Sequence, residues 1–182
     1  MTDRLPTLTD ATMTPDQRRV SDAIKAGPRG LVQGPLLAWL HSPGLADKAQ
    51  ELGAFCRYGT SLPPRLSELA IITAGAYWKA GFEWHVHAPI AVKAGLNAEA
   101  VEALRTGSTP HFVEEDEQAV WRFCHHLLHD REVADATYKT VQDLLGPAST
   151  VELVGVLGYY GLICMTIKAF EVPVPVGEAE PF

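Results

Sequence analysis

The chain is poor in several residues that would mark out a function. Only three cysteines occur in 182 residues, at positions 56, 124 and 164. They are odd in number and far apart, so no disulfide framework and no Cys-x-x-Cys redox pair is encoded. Buried, reduced thiols in a reducing compartment, the cytoplasm, are the expectation for Cys56, Cys124 and Cys164. Basic charge is also scarce: 15 Lys and Arg stand against 22 Asp and Glu, a net charge of −7. With no basic cluster, the chain is not expected to bind nucleic acid or an anionic membrane. No apolar run follows the charges of MTDRLPTLTDATMTPDQRR, so a signal peptide is not expected. Period-two alternation between turn signals, long repeats and a phosphate-binding glycine loop are all missing. What is present is 47% apolar and 20% charged, the composition of an ordinary globule with enough chain to bury a core. Apolar spacing follows the helical period throughout, and the fold expected is all-α: a single-domain helical bundle of about seven to nine helices.

Three segments follow: an extended N-terminal arm (1–13), a helical domain (14–170) and a Pro-rich tail (171–182). Thr14-Pro15-Asp16-Gln17 opens the first helix with a capping box, and Gly27 ends it. GPRGLVQGP, carrying Arg29, is a connector or the lining of a pocket mouth. Ser42-Pro43 begins a helix whose Leu45, Ala49, Leu52 and Phe55 are expected to face inward. Asn97 caps a short helix ending at Gly107. The helix from Glu114 to Arg131 carries His125, His126 and His129. Adjacent histidines point about 100° apart and no HExxH frame exists, so a polar face is expected rather than a metal site. Asp135 starts a helix closed by Gly146-Pro147, and Ser149 to Glu152 reads as a capping box for the apolar helix reaching Phe170. That helix is long enough for a bilayer, but Glu152, Lys168, three glycines and a Tyr pair favour a buried core or subunit-interface helix. Gly155, Gly158 and Gly161 are spaced to admit a neighbouring helix.

The central stretch runs from Ser61 to Leu96. It reads as two helices, 63–79 and 83–94, joined by a tight turn with Gly75 and Gly81 ending the first. On the second, Glu83 and His87 are four residues apart and share a face. An acid beside an imidazole can hold, deliver and recover a proton near neutral pH. Pro89 should bend the backbone there. Glu68 lies among apolar neighbours, where burial raises a carboxyl pKa. A straight helix, however, sets it about 16 Å above the turn. A break at Gly75 or packing between subunits is expected to close that gap.

LPPRLSELAI and YWKAGFEWHVHAPIAVKAGL resemble the core motif of the carboxymuconolactone decarboxylase family, which includes the alkyl hydroperoxide reductase D-type peroxidases. GYYGLICMTIKAFEVPVP is similar to the end of members of about this length. Aligned on Ala-Gly-Leu, the peroxidase Cys-x-x-Cys-x-x-x-His places its histidine on His87. Its cysteines fall on Ala80 and Glu83, and its upstream glutamate on Glu68. The decarboxylase-like branch has Glu-Trp-x-x-His, which Glu83, Trp84 and His87 match. The resemblance implies homotrimers or homohexamers with sites near subunit interfaces. It also implies a cofactor-free, metal-free lyase that decarboxylates 4-carboxymuconolactone or a related small acidic lactone in aromatic-compound breakdown. His87 would donate the proton, with Glu83 orienting it and Glu68 in the relay. Arg57, Arg65 or Lys93 would hold a substrate carboxylate, and Trp84 would wall the pocket. Rival readings are a peroxidase-like antioxidant protein without the cysteine pair, a metal-dependent hydrolase using Glu68, Glu83 and His87, and a non-catalytic binding homologue.

Overall fold

Ten consecutive residues, from Leu66 to Gly75, are buried. A helix covered on every side must lie at the centre of its domain, and this one does. In the computed structural model, which describes residues 4–182, the chain forms eight α-helices and, among the described residues, no strand. They are α1 (Pro15–Ala26), α2 (Pro35–Trp39), α3 (Pro43–Tyr58), α4 (Pro64–Trp78), α5 (Gly81–Lys93), α6 (Ala98–Thr106), α7 (Glu115–His129) and α8 (Asp135–Phe170). The buried α4 packs against α5, α7 and α8, while α1, α2 and α3 lie on the α3–α8 side of the bundle.

Local signals set most boundaries. Thr14 and Gln17 close the capping box of α1: the Gln17 amide donates to Thr14 Oγ1 at 3.3 Å and the Thr14 amide to Gln17 Oε1 at 2.8 Å. The Asn97 side chain caps α6, and Gly107 ends it at φ 75°. Gly75 does not break α4. The helix runs to Trp78 and stops because Lys79 turns left-handed (φ 48°), while Ala80 N–H donates to Gly75 O and Lys79 N–H to Ala76 O. This is a Schellman turn built on lysine rather than glycine. Likewise α5 continues through Pro89, which leaves the His85 carbonyl without its helical donor.

The helix α8 is two arms joined at Gly146, which has φ 78° and ψ 169°. The second arm restarts directly at Pro147, so Ser149 and Glu152 are not its cap. Instead they hold the turn that leads into α4: Ser61 N–H and Oγ both donate to Glu152 Oε2 at 2.7 Å, and Ser61 Oγ lies 2.7 Å from Ser149 Oγ. An 18-residue window of α8 is apolar enough to cross a membrane, but Leu153, Val156, Tyr160 and Cys164 are spent on the core.

Two faces differ from the pattern read in the sequence. Along α3 the buried residues are Ala46, Ala49, Gly53 and Cys56, whereas Leu45, Leu52 and Phe55 are exposed. The reason is close approach: the Tyr159 hydroxyl lies where a side chain on Gly53 would be, so the small-residue face is the one that fits against α8. On α8 no other part of the described chain comes within 4 Å of the Cβ positions of Gly155, Gly158 and Gly161. Beside them Val151, Val154 and Met165 are exposed.

Both termini dock on this frame. The extended arm expected over 1–13 lies partly outside the described residues. In the rest, Arg4 donates to Ala169 O and pairs with Glu171, and a turn forms over 9–13. The tail folds back on the chain's own α5 and α6. Arg105 donates to Pro181 O at 2.6 Å, Phe182 meets Trp84 edge-on at 5.4 Å, and the Glu180 carboxylate occupies the space beside Gly81.

Candidate functional site

The turn at Lys79–Ala80 makes α5 antiparallel to α4, and this brings the site together. Glu68 stands ten residues before the end of α4, or about 15 Å of helix, and His87 stands six residues into α5, or about 9 Å back along the same direction. The second helix retraces most of the height, so neither a break at Gly75 nor a second subunit is needed. His87 Nδ1 lies 2.7 Å from Glu68 Oε2, and His87 Nε2 lies 3.1 Å from Glu83 Oε1. All three side chains are buried.

An imidazole whose two nitrogens each face a carboxylate can satisfy both only as imidazolium. Burial is the largest influence on His87 and opposes its charge. The Glu83 charge and the hydrogen bonds with Glu68 and Glu83 outweigh it, raising the pKa from 6.5 to about 9. The ring of Tyr160 meets His87 edge-on at 5.2 Å. Burial first, and then the charge of Glu83, holds the Tyr160 phenol well above its ordinary range, so it is a neutral donor.

A cavity of about 60 Å³ opens onto this cluster. Glu83 and His87 line it, Glu68 does not, and Tyr159, Tyr160, Arg29 and Arg57 form much of its polar wall. The Nε2 side of the ring, with its partner Glu83, therefore belongs to the cavity wall, and Glu68 on Nδ1 lies outside that wall. Arg29 Nη2 donates to the Tyr159 hydroxyl at 3.2 Å, while its buried Nε has no hydrogen-bond partner. A buried unpaired guanidinium N–H beside a second arginine is the donor set for an anion. The loop carrying Arg29 is thus part of the pocket, as is Arg57.

Three other residues expected at the site are placed elsewhere. Arg65 is held by Asp116 at 2.9 Å and Glu117 at 2.5 Å, an ion-pair cluster tying α4 to α7. Its acids lie more than fifty residues away in sequence, which no local pattern could show. Lys93 is exposed in the last turn of α5, where a cation complements the helix dipole. Trp84 turns towards Phe182 and the tail rather than the cavity.

The thiols are insulated. Burial raises Cys56 despite nearby Arg29, lifts Cys124 to about 12, and raises Cys164 further with the help of the Glu83 charge. Among the described residues no three His, Cys, Asp or Glu side chains converge to hold a metal ion. In the central cluster both imidazole nitrogens are already engaged by carboxylates.

Residues 43–122, which include the whole Glu68–Glu83–His87 cluster, match the profile of the Carboxymuconolactone decarboxylase family. This stretch, 80 of the chain's 182 residues, is similar to that family. Among solved structures it is similar to a cysteine-to-alanine variant of the debrominase Bmp8 in complex with 2,3,4-tribromopyrrole. The TM-score is 0.74 at 16% identity, covering 100% of this chain and 95% of that one. Apo Bmp8 gives a TM-score of 0.72 at 16% identity, covering 99% and 95%. At such identity the likeness establishes the shared fold. Comparison with curated proteins gives no match.

Proposed function

We propose that the protein is a cofactor-free carboxy-lyase acting on 4-carboxymuconolactone or a related small acidic lactone. The observation that carries this reading is the His87 imidazole held between two buried carboxylates beside a cavity that also presents Arg29 and Arg57. In a butenolide carrying its carboxylate on the γ-carbon, the bond from that carbon to the carboxylate breaks and CO2 leaves. The electron pair passes through the ring double bond into the lactone carbonyl, forming a dienolate that needs no cofactor as electron sink. The ring carbon then takes one proton. His87 supplies it from Nε2, directly or through Glu83, and is reprotonated from solvent. Glu68, behind the ring, is a positioning residue that keeps the imidazole charged and oriented. Arg29 and Arg57 hold the anionic substrate and the developing enolate oxygen.

Thiol chemistry is not supported. The family's paired cysteine positions are Ala80 and Glu83 here, and the three thiols present are raised by burial, which suppresses the nucleophilic thiolate. Self-association as a homotrimer or homohexamer is supported by the exposed Leu45, Leu52 and Phe55 on α3 and Val151, Val154 and Met165 on α8. Light scattering of wild type and of Leu52→Arg reads it directly.

The test of the reaction is CO2 release from 4-carboxymuconolactone by wild type, His87→Ala, Glu83→Gln and Arg57→Ala. Turnover by wild type that collapses in His87→Ala is expected. An inert wild type removes the substrate, and an active His87→Ala removes the mechanism.

A further inference from the structure

The cavity at His87 is small for the whole of a ring substrate and needs a neighbouring space to complete it. A site of about 60 Å³ is well under the roughly 150 Å³ that admits a benzene ring. A second chamber of about 220 Å³ lies next to it. Its lining is apolar: Leu5, Leu37, Phe170 and the tail residues Val172, Val174 and Val176. One side chain, Phe82, lines both spaces, and α2 contributes Pro35 and Leu36 to one and Leu37 and Ala38 to the other. Phe82 immediately precedes Glu83 on α5, so any movement of the partition is felt beside the proton donor.

The seat of that ring is built. Gly34 has φ 56° and ψ −131°, a conformation that only glycine adopts readily. A Cβ there would lie 2.3 Å from the Phe82 ring. Glycine at 34 is thus required twice, by its backbone and by the aromatic edge against it. The outer wall is the C-terminal tail, pinned by Arg105 on Pro181 O and by Phe182 on Trp84. Both the partition and the wall are therefore held in place by identifiable contacts.

We propose that Phe82 is the specificity partition of a two-part site. The carboxylate head of the substrate sits with Arg29, Arg57 and His87, and an apolar alkyl or aryl substituent passes Phe82 into the tail-walled chamber. This rests on the site described under the proposed function and narrows its substrate class to acidic lactones that carry an apolar substituent. The occupant follows from continuity: the chamber has no charged lining residue, and it borders the anion site across one ring.

Isothermal titration with butanoate, hexanoate, octanoate and decanoate tests it without turnover. In wild type the dissociation constant should fall about fourfold per methylene until the chamber is filled. Leu37→Trp and, independently, Val174→Trp fill the chamber and should flatten that slope. Phe82→Ala joins the two spaces and should tighten octanoate. Arg57→Ala should weaken every chain length by a similar factor and leave the slope intact. A flat series in wild type overturns the proposal, as does an unchanged slope in both filled variants, which would place the chains elsewhere on the protein. A chain-length slope with no CO2 release from any acid removes the lyase reading but keeps the two-part site. Turnover of 4-carboxymuconolactone with a flat series does the reverse.

Discussion

On α5, His87 sits between two carboxylates; on α7, His125 sits between other aromatic rings. The His125 ring lies 4.2 Å from that of His129 and 5.1 Å from that of Trp121, with His126 at 6.2 Å. Burial, and then the charges of His129 and His126, lower its pKa, whereas His87 is raised to about 9. The more deeply buried imidazole is the one that keeps its charge. Neighbours of opposite sign thus decide the outcome against desolvation, and a helix rich in histidines is not for that reason a reactive one. A separate cavity, of about 300 Å³, borders His125 and His129, but no carboxylate lines it.

The largest effect should come from removing the two imidazoles in turn. His87→Gln is expected to lower turnover of the cognate acid by about 10²–10⁴-fold, the usual worth of a positioned acid–base group. His129→Gln should stay close to wild type. Steady-state CO2 release measures both, and equal losses would show that the contrast between the sites has no bearing on catalysis.

Stability against pH should separate them next. A histidine whose folded pKa is raised from 6.5 to about 9 stabilises the fold fully below pH 6.5, and that contribution is lost as pH rises through 9. The amount is on the order of 3 kcal/mol. For His125, whose folded pKa is lowered, stability falls instead as pH drops below 6.5. Urea unfolding at pH 5, 7 and 9.5 should show the alkaline loss in wild type and not in His87→Gln. A steep alkaline slope persisting in that variant would assign it to another group.

A smaller effect probes how the first site is covered. At Gly53 an added Cβ would lie 2.0 Å from the Tyr159 hydroxyl and 2.3 Å from Arg29 Nη2. Gly53→Ala must push both outward, costing about 1–3 kcal/mol in overpacking and weakening binding of an acid at the Arg29 side. Thermal unfolding together with acetate or butanoate titration reads the two consequences. A variant that binds the acid as wild type does would detach Arg29 from the anion site.

How much of this the sequence could show depends on range. The α1 capping box, the Asn97 cap and the Glu83–His87 pair are set by residues within four positions of each other, and each was readable. The pairing of Glu68 with His87 needs the antiparallel register of α4 and α5, which a height along one helix does not contain. On α3, periodicity separates Ala46, Ala49 and Gly53 from Leu45, Leu52 and Phe55. It does not say which face is covered, and close approach to Tyr159 on α8 selects the small one. Arg29, Phe82 and Tyr160 reach the cavity from three separate segments. No spacing rule links them. Arg65 looked available for a substrate because Asp116 and Glu117, which hold it, come from α7.

The smallest expected effect isolates the coupling on α7. His125 and His129 are one turn apart with rings inclined by 30°, so protonating either places a positive charge over the other. Replacing His129 with alanine removes that repulsion and also opens the ring face to water. Both changes favour the charged form of His125, so its titration midpoint should rise towards the ordinary histidine value. The rise should be incomplete, because His126 still repels it and part of the burial remains. The same replacement should leave the midpoint of His87 where it is, since its nearest charges are Glu68 and Glu83. Following the imidazole Cε1–H resonances by NMR from pH 4 to 10 in wild type and His129→Ala measures both midpoints together. A His125 midpoint that falls or stays fixed would show that burial alone depresses it and that the stacked neighbour contributes nothing.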